Sequence, residues 1–372
     1  MILFIILLAS LAIQIIWYLI SFFALKAIKD QDGITKNIGV SLIIAARNED
    51  ENLLKNIPIW LQQEHDNFEI VIVDDRSVDD TFDTIEALKQ SDNRVKRTTV
   101  VEYKNSSIKF GKKYALTLGI KLAQHEHLIF TDADCIPADP YVLQRFTKAF
   151  ANGNDLILGV GAFHKKPGAI NSIIRTDNQR IAAFYLSFAK IGLPYMGVGR
   201  AMAYTKSLFY SLKGFASHQH IESGDDDLFV LEAVEAKAKV GLVPSAATLS
   251  DAAASLKAWK NQKTRHLSTG IVYPFHILLL LILLDFSAVI SLIFLPLVMV
   301  FSHSYSLIII SLSLFLLRMI GFVLVSYQLA KRTKLSYDGF HNFLAEPLLS
   351  CLNAVFSSLA LVTKKSGWKT KI

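Results

Sequence analysis

Two hydrophobic regimes divide this chain. Residues 2–25 form an apolar run without a charged side chain, and long apolar stretches return at 274–301, 306–330 and 343–362. Between these ends the apolar runs shorten to strand length and alternate with segments of helical spacing. Residues 40–46 and 68–73 are strand candidates, and 128–130 is a short apolar run of the kind found in a buried strand. Helical segments follow the first two, at 52–63 and 82–90, and a third helix running to residue 124 leads into 128–130. Strand and helix in alternation predict parallel βαβ units. Further strands are expected at 98–103 and 156–161. An amphipathic helix is expected from 169 to 189, where Ile170, Ile173, Ile174, Ile181, Phe184, Tyr185 and Phe188 fall at helical spacing and Arg175, Asp177 and Arg180 interrupt them. Its apolar face suits a protein core and a bilayer surface equally.

The terminal runs have the length needed to cross a bilayer, about 20 residues. Residues 2–25 lack the basic leader and the small-x-small cleavage site of a signal peptide, so a retained anchor is expected. Lys26, Lys29 and Lys36 follow it and place the intervening domain in the cytoplasm. The stretches 274–301 and 306–330 predict two more spans. They carry Asp285 and Arg318, expected to pair with each other across adjacent helices. The stretch 343–362 is broken by Glu346 and Pro347 and has basic residues on both sides: Lys331, Arg332 and Lys334 before it, Lys364, Lys365, Lys369 and Lys371 after it. A full span would put one of these groups on the wrong side, so a re-entrant or interfacial helix is expected. The resulting division is an anchor at 1–26, a cytoplasmic domain at 36–270 and a membrane region at 271–372.

Composition changes this picture in two places. The formal charge of +7 would suit a nucleic-acid binder, but the basic residues crowd beside the apolar runs. There they set topology and meet anionic lipid, and no nucleic-acid partner is implied. The only cysteines are Cys135 and Cys351, whose spacing supports neither a disulfide framework nor a zinc site.

Candidate chemistry gathers where the predicted strands end. The first is followed by Arg47, Asn48 and Glu49, the second by Asp74, Asp75 and Arg76, and 128–130 by Asp132, Ala133 and Asp134. Side chains two apart on a strand leave it on the same side, so Asp132 and Asp134 can share a divalent cation. Ligands of open α/β sheets bind beyond the strands' carboxyl ends. A solvated turn would also carry such a pair, and Asp79 or Asp80 need be no more than a helix cap. Farther on, Asp225, Asp226 and Asp227 are adjacent without a local cation, a repulsive arrangement that a helix cap explains for one or two of them.

The segments SLIIAARNEDENL, EIVIVDDRSVDDT, FGKKYALTLGI and LIFTDADCIPADPYVL, in this order, resemble the nucleotide-sugar-dependent glycosyltransferases of family 2. The resemblance implies the GT-A fold, an α/β, Rossmann-like domain with a mostly parallel sheet, here flanked by transmembrane helices. It implies that Asp75, with Asp74, contacts the nucleotide base and that Arg47 and Glu49 line the same pocket. Asp132 would lie near the ribose, with Asp134 ligating Mg2+ or Mn2+ on the diphosphate. Lys112 or Lys113 would face the nucleotide sugar.

The family's Glu-Asp-x-x-Leu motif, aligned on Leu228, makes Asp225 the general base and puts Gly224 where Glu is frequent, which leaves Asp226 open as the base. Gln262 and Arg265 resemble the family's Gln-x-x-Arg-Trp motif, with His266 in place of Trp. The family implies inversion by a single displacement, most commonly from a uridine diphosphate sugar. Spans around the domain point to a lipid or polyprenyl-type acceptor, in a bacterial inner membrane. A processive polysaccharide synthase and a catalytically silent membrane scaffold are the alternatives. Three spans with a large polar insert argue against a transporter.

Overall fold

A computed structural model describes residues 2–29, 38–101, 110–221, 223–267, 270–337 and 339–362. Lys36 and the four C-terminal lysines lie outside the described residues. In chain order the elements are α1 (Ile2–Ala27), β1 (Val40–Ala46), α2 (Asp50–Trp60), β2 (Phe68–Asp74), α3 (Thr81–Ser91), β3 (Val95–Thr99), α4 (Lys112–Leu122), β4 (His127–Asp132), β5 (Ile136–Pro137) and α5 (Val142–Ala151). They continue with β6 (Leu156–Phe163), α6 (Ala169–Lys190), β7 (Met202–Thr205), α7 (Lys206–Ser211), α8 (Asp227–Glu235), β8 (Val240–Ser250), α9 (Leu256–Leu267), α10 (Phe275–Phe301), α11 (Tyr305–Thr333) and α12 (Gly339–Val362).

The chain divides into two compact units. One holds all eight strands with α2–α5, α7 and α8; the other is helical, made of α1, α6 and α9–α12.

The sheet runs β3-β2-β1-β4-β7-β6-β8-β5. Strands β3, β2, β1 and β4 are parallel, β7 is antiparallel to β4 and β6, β6 and β8 are parallel, and β5 closes the edge antiparallel to β8. Every residue of β1 and β2 is buried, because helices cover both faces. Val40, Leu42, Ile44 and Ala46 alternate onto one face and pack with Leu53, Ile57 and Trp60 of α2 and Phe146 of α5. On the other face α4 lies so close that a Cβ on Gly119 would come within 2.8 Å of Ile43 and 3.0 Å of Val73. The third strand starts earlier than its polar sequence suggests, since pairing with β2, rather than hydrophobicity, defines it.

In the helical unit α1, α10 and α11 are each long and apolar enough to cross a membrane, and α12 is not among them. Helix α6 turns its apolar face inward, with Trp17 of α1 against Phe184 and Phe188 at ring separations of 5.4 and 4.5 Å.

The expected pairing of Asp285 with Arg318 does not occur. Asp285 binds Arg180 of α6 at 3.0 Å, and Arg318, fully buried, binds Glu346 of α12. An ion in an apolar bundle takes the counter-ion that packing brings nearest, and both partners come from elements that a comparison of α10 with α11 leaves out. Glu346 also accepts from the Tyr18 hydroxyl at 3.2 Å. Asp177 of α6 holds Lys263 of α9 at 2.7 Å and Asn353 of α12 at 3.2 Å.

Glu346→Ala is expected to destabilise the helical unit by about 3–5 kcal/mol, because it strands a buried guanidinium, whereas Arg318→Met combined with Glu346→Leu returns stability to the parent level. Thermal unfolding of the detergent-solubilised protein checks both.

Candidate active site

The site is built at the carboxyl ends of β1, β2 and β4, where parallel register brings the three strand termini side by side. Its acidic turn is held from behind by α2. Asn56 donates to the Ala133 carbonyl at 2.9 Å, and the Trp60 indole donates to the Cys135 carbonyl at 2.9 Å. One turn later Gln63 donates to the Asp139 carbonyl at 2.8 Å and accepts from the Leu143 N–H at 3.1 Å. These three side chains fall at i, i+4 and i+7, a polar-capable stripe on a face that otherwise reads as core. Sequence reasoning passed over them; that spacing was the available signal.

The loops after β1 and β2 are stitched together. Asn48, in the left-handed region at φ 55°, donates its N–H to Ser77 at 3.0 Å, and its side chain accepts from the Val78 N–H at 2.9 Å. Arg47 is half-buried on the same loop. Glu49 is buried and accepts from Asn52 at 2.5 Å. Asp74 accepts from the Ser77 N–H at 3.1 Å and so shapes the turn. Asp75 is completely buried, and the Arg76 guanidinium sits on its carboxylate at 2.8 Å. Arg76 in turn lies 5.3 Å over the Phe110 ring. Of the two expected caps, Asp79 accepts from the Thr81 N–H at 3.1 Å at the start of α3.

The two adjacent lysines of α4 point to different work. Lys112 places its ammonium 2.9 Å from Asp132 and 3.0 Å from Asp225. Lys113 is buried and donates to the carbonyls of His218 and Ile221 at 2.7 and 3.0 Å, fastening the loop that carries the three consecutive aspartates. Both sit in the first turn of a helix, where a positive charge opposes the dipole by about 0.3–1 kcal/mol. Their partners offset that. Burial alone would lower the Lys112 ammonium, but Asp132, Asp225 and Asp226 outweigh it and hold it above the ordinary lysine range. Burial pushes Lys113 down to about 8.

The three aspartates differ in their partners. Burial would raise the Asp225 carboxyl, but Lys112 outweighs it and holds it below the ordinary carboxylate range. Asp226 accepts from the Gly199 N–H at 3.0 Å and from the Asp227 N–H at 2.8 Å. Burial, then repulsion from Asp225 and Asp227, pushes its carboxyl up to about 7. Asp227 is buried in the first turn of α8 and accepts from the Leu228 N–H at 2.9 Å. Gly224 has φ 87°, a left-handed conformation, and a Cβ there would approach Leu228 to 2.6 Å. The frequent Glu of the family pattern would be strained at this position.

Asp132, Asp134 and Cys135 each offer a donor atom, all within 4.8 Å of one another. Asp134 is exposed, whereas the buried Cys135 thiol, pushed up by burial, donates to the Asp134 carboxylate at 3.4 Å. Two hard carboxylates with solvent access fit Mg2+ or Mn2+. Gln262 and Arg265 lie half-buried on α9 in the helical unit, and the buried face of that helix is Trp259 and Lys263.

Residues 41–212 match the family model described as glycosyl transferase family 2. Over 95 residues the chain is 35% identical to WfaP of Escherichia coli, a UDP-Glc:alpha-D-GlcNAc-diphosphoundecaprenol beta-1,3-glucosyltransferase, covering 26% of this chain and 35% of that protein. Over 176 residues it is 28% identical to the dolichyl N-acetyl-alpha-D-glucosaminyl phosphate 3-beta-D-2,3-diacetamido-2,3-dideoxy-beta-D-glucuronosyltransferase of Methanococcus voltae, covering 46% of this chain and 50% of that protein. The chain thus spans a third to a half of the length of these curated relatives. Among solved structures, the mannosyltransferase PcManGT of Pyrobaculum calidifontis, in complex with GDP-Man and Mn2+, is similar with a TM-score of 0.63 and 16% identity over 96% of this chain and 99% of that one. At that identity the likeness is one of fold, and the fold is GT-A. The stretch that carries the parallel strands and the first strand-end carboxylates, residues 41–212, is thus the part of the chain that matches glycosyl transferase family 2.

Proposed function

We propose that the chain is an inverting glycosyltransferase that moves a sugar from a nucleoside diphosphate donor, a uridine diphosphate sugar, to a lipid or polyprenyl-type acceptor in the membrane. One observation carries this reading: a carboxylate held ionised, Asp225, lies across a single ammonium from Asp132, the neighbour of Asp134 in the acidic turn. A base and a leaving-group site that close together suit a displacement in which attack and departure occur on opposite faces of one sugar carbon.

Asp225 takes the proton of the acceptor hydroxyl as its oxygen bonds to the anomeric carbon. The bond from that carbon to the diphosphate breaks, and the nucleoside diphosphate departs with the electron pair. A divalent ion held by Asp132 and Asp134 would offset the charge that builds there. Lys112 lies between the two events and supplies a fixed positive charge to the leaving side. Asp226, fixed by the Gly199 N–H, keeps its place beside Asp225 and carries its own proton below about pH 7. Asp74, Asp75, Arg47 and Glu49 are assigned to the nucleotide base, with Arg76 as an unexpected companion to Asp75. Gln262 and Arg265 are assigned to the diphosphate. Lys113 receives a positioning role on the 218–221 loop instead of a donor contact.

The acceptor class is supported by three membrane-crossing candidates and by WfaP, whose name gives a diphosphoundecaprenol-linked acceptor. The sheet unit is assigned to the cytoplasmic face of a bacterial inner membrane.

Asp225→Asn is expected to lower kcat by about 10²–10⁴-fold while donor binding is retained. Nucleotide release by the full chain in lipid nanodiscs, with a panel of nucleotide sugars and Mn2+, measures this. Sugar recovered in the lipid phase supports the reading. A high-mass aqueous product would replace it with a processive synthase, and turnover unaffected by Asp225→Asn would remove Asp225 as base. The pH profile supplies a separate check. As pH rises through about 7, ionised Asp226 adds a negative charge that repels the anionic donor, so kcat/KM for the donor is expected to fall. In Asp226→Asn that fall is expected to disappear.

A further inference from the structure

Asp132 is claimed twice. It is one of the two carboxylates proposed to hold the divalent ion, and it already binds the Lys112 ammonium at 2.9 Å. That ammonium is a compact point charge with Asp225 at 3.0 Å on its other side. Lys112 is rooted at the first residue of α4, which keeps it beside both carboxylates. The packing around it is close: a Cβ on Gly199 would lie 3.5 Å from its Nζ and 3.4 Å from the Asp225 carboxylate. A divalent ion on Asp132 and Asp134 would therefore stand next to a fixed positive charge and would have to share a ligand with it. Like charges at such separations repel strongly in a partly desolvated site.

The diphosphate changes this balance. It adds negative charge next to the ion and offers Lys112 a new partner at the N-terminus of α4, where backbone N–H groups also favour an anion. We propose that Lys112 gates the metal site, holding Asp132 against the divalent ion until a diphosphate draws its ammonium away. Metal and donor then bind as a pair, and each raises the other's affinity by the same factor. This rests on the assignment of Asp132 and Asp134 to the metal, and it adds a role for Lys112 that requires no proton to move.

The test is Mn2+ binding to the full-length protein in detergent, without any nucleotide, read from the free Mn2+ signal in electron paramagnetic resonance. Lys112→Met is expected to bind Mn2+ about tenfold or more tightly than the parent, since a positive neighbour has been removed. Lys112→Arg, which keeps the charge, is expected to resemble the parent and shows that the effect follows charge and not a general loosening. Asp134→Ala is the control for the site itself. Mn2+ binding that Asp134→Ala abolishes but Lys112→Met leaves unchanged or weakens overturns the gate and leaves the metal assignment standing. Binding that is indifferent to Asp134→Ala overturns both. A Lys112→Met protein that fails to fold transfers the test to Lys112→Gln, for which the same gain is expected and an unchanged affinity overturns the proposal.

Discussion

The Lys112 ammonium between Asp132 and Asp225 is the contact on which the rest of the sheet unit's chemistry depends. Without it, Asp132 and Asp225 would lie near each other with no cation between them. With it, Asp132, inside the stretch that matches the family, and Asp225, beyond that stretch, are joined through a shared cation. The arrangement is held from beneath by strand pairing and by hydrogen bonds to turn carbonyls. The parallel register of β1, β2 and β4 delivers the strand ends, Asn56 and Trp60 hold the acidic turn by its carbonyls, and Lys113 holds the 218–221 loop by its carbonyls. Polar side chains spent on backbone carbonyls in this way position the turns while leaving the carboxylates themselves available.

The helical unit solves a different problem with similar means. Several of its ionisable groups are buried among apolar helices, where an unpaired charge would be very unfavourable. Three ion pairs join its helices: Arg180 with Asp285, Arg318 with Glu346, and Lys263 with Asp177. Helix α6 supplies two of these contacts within one turn and also bonds Asn342 of α12 through Thr176 and Gln179. The amphipathic helix whose apolar face suited a protein core and a bilayer surface equally packs into the bundle and carries its polar contacts. Its interrupting charges, Asp177 and Arg180, are the reason.

Much of the fold could be read in advance because its signals are periodic and local. Continuous apolar runs alternating with helical spacing describe parallel strands under helices whatever the rest of the chain does. The terminal apolar runs can satisfy their backbone in lipid only as helices. Departures fell where local signal is weak. The third strand is polar and owes its limits to pairing with β2. The Asp285 and Arg318 pairing failed because the nearest counter-ions came from α6 and α12.

By itself the sequence determined which residue types stand at the strand ends: the carboxylate pair after β4, the two aspartates after β2, and the triple aspartate before α8. Tertiary structure alone decided how these divide the work. Lys112 and Lys113 are indistinguishable by position in the chain, yet one turns to the carboxylates and the other to carbonyls 105 and 108 positions away. Asp225 and Asp226 are equally indistinguishable until Lys112 holds one ionised and the Gly199 N–H takes the other. The physical reason is common to both. The charge state and task of a buried ionisable group are set by its nearest partners in space, and those partners arrive from distant parts of the chain only when it folds.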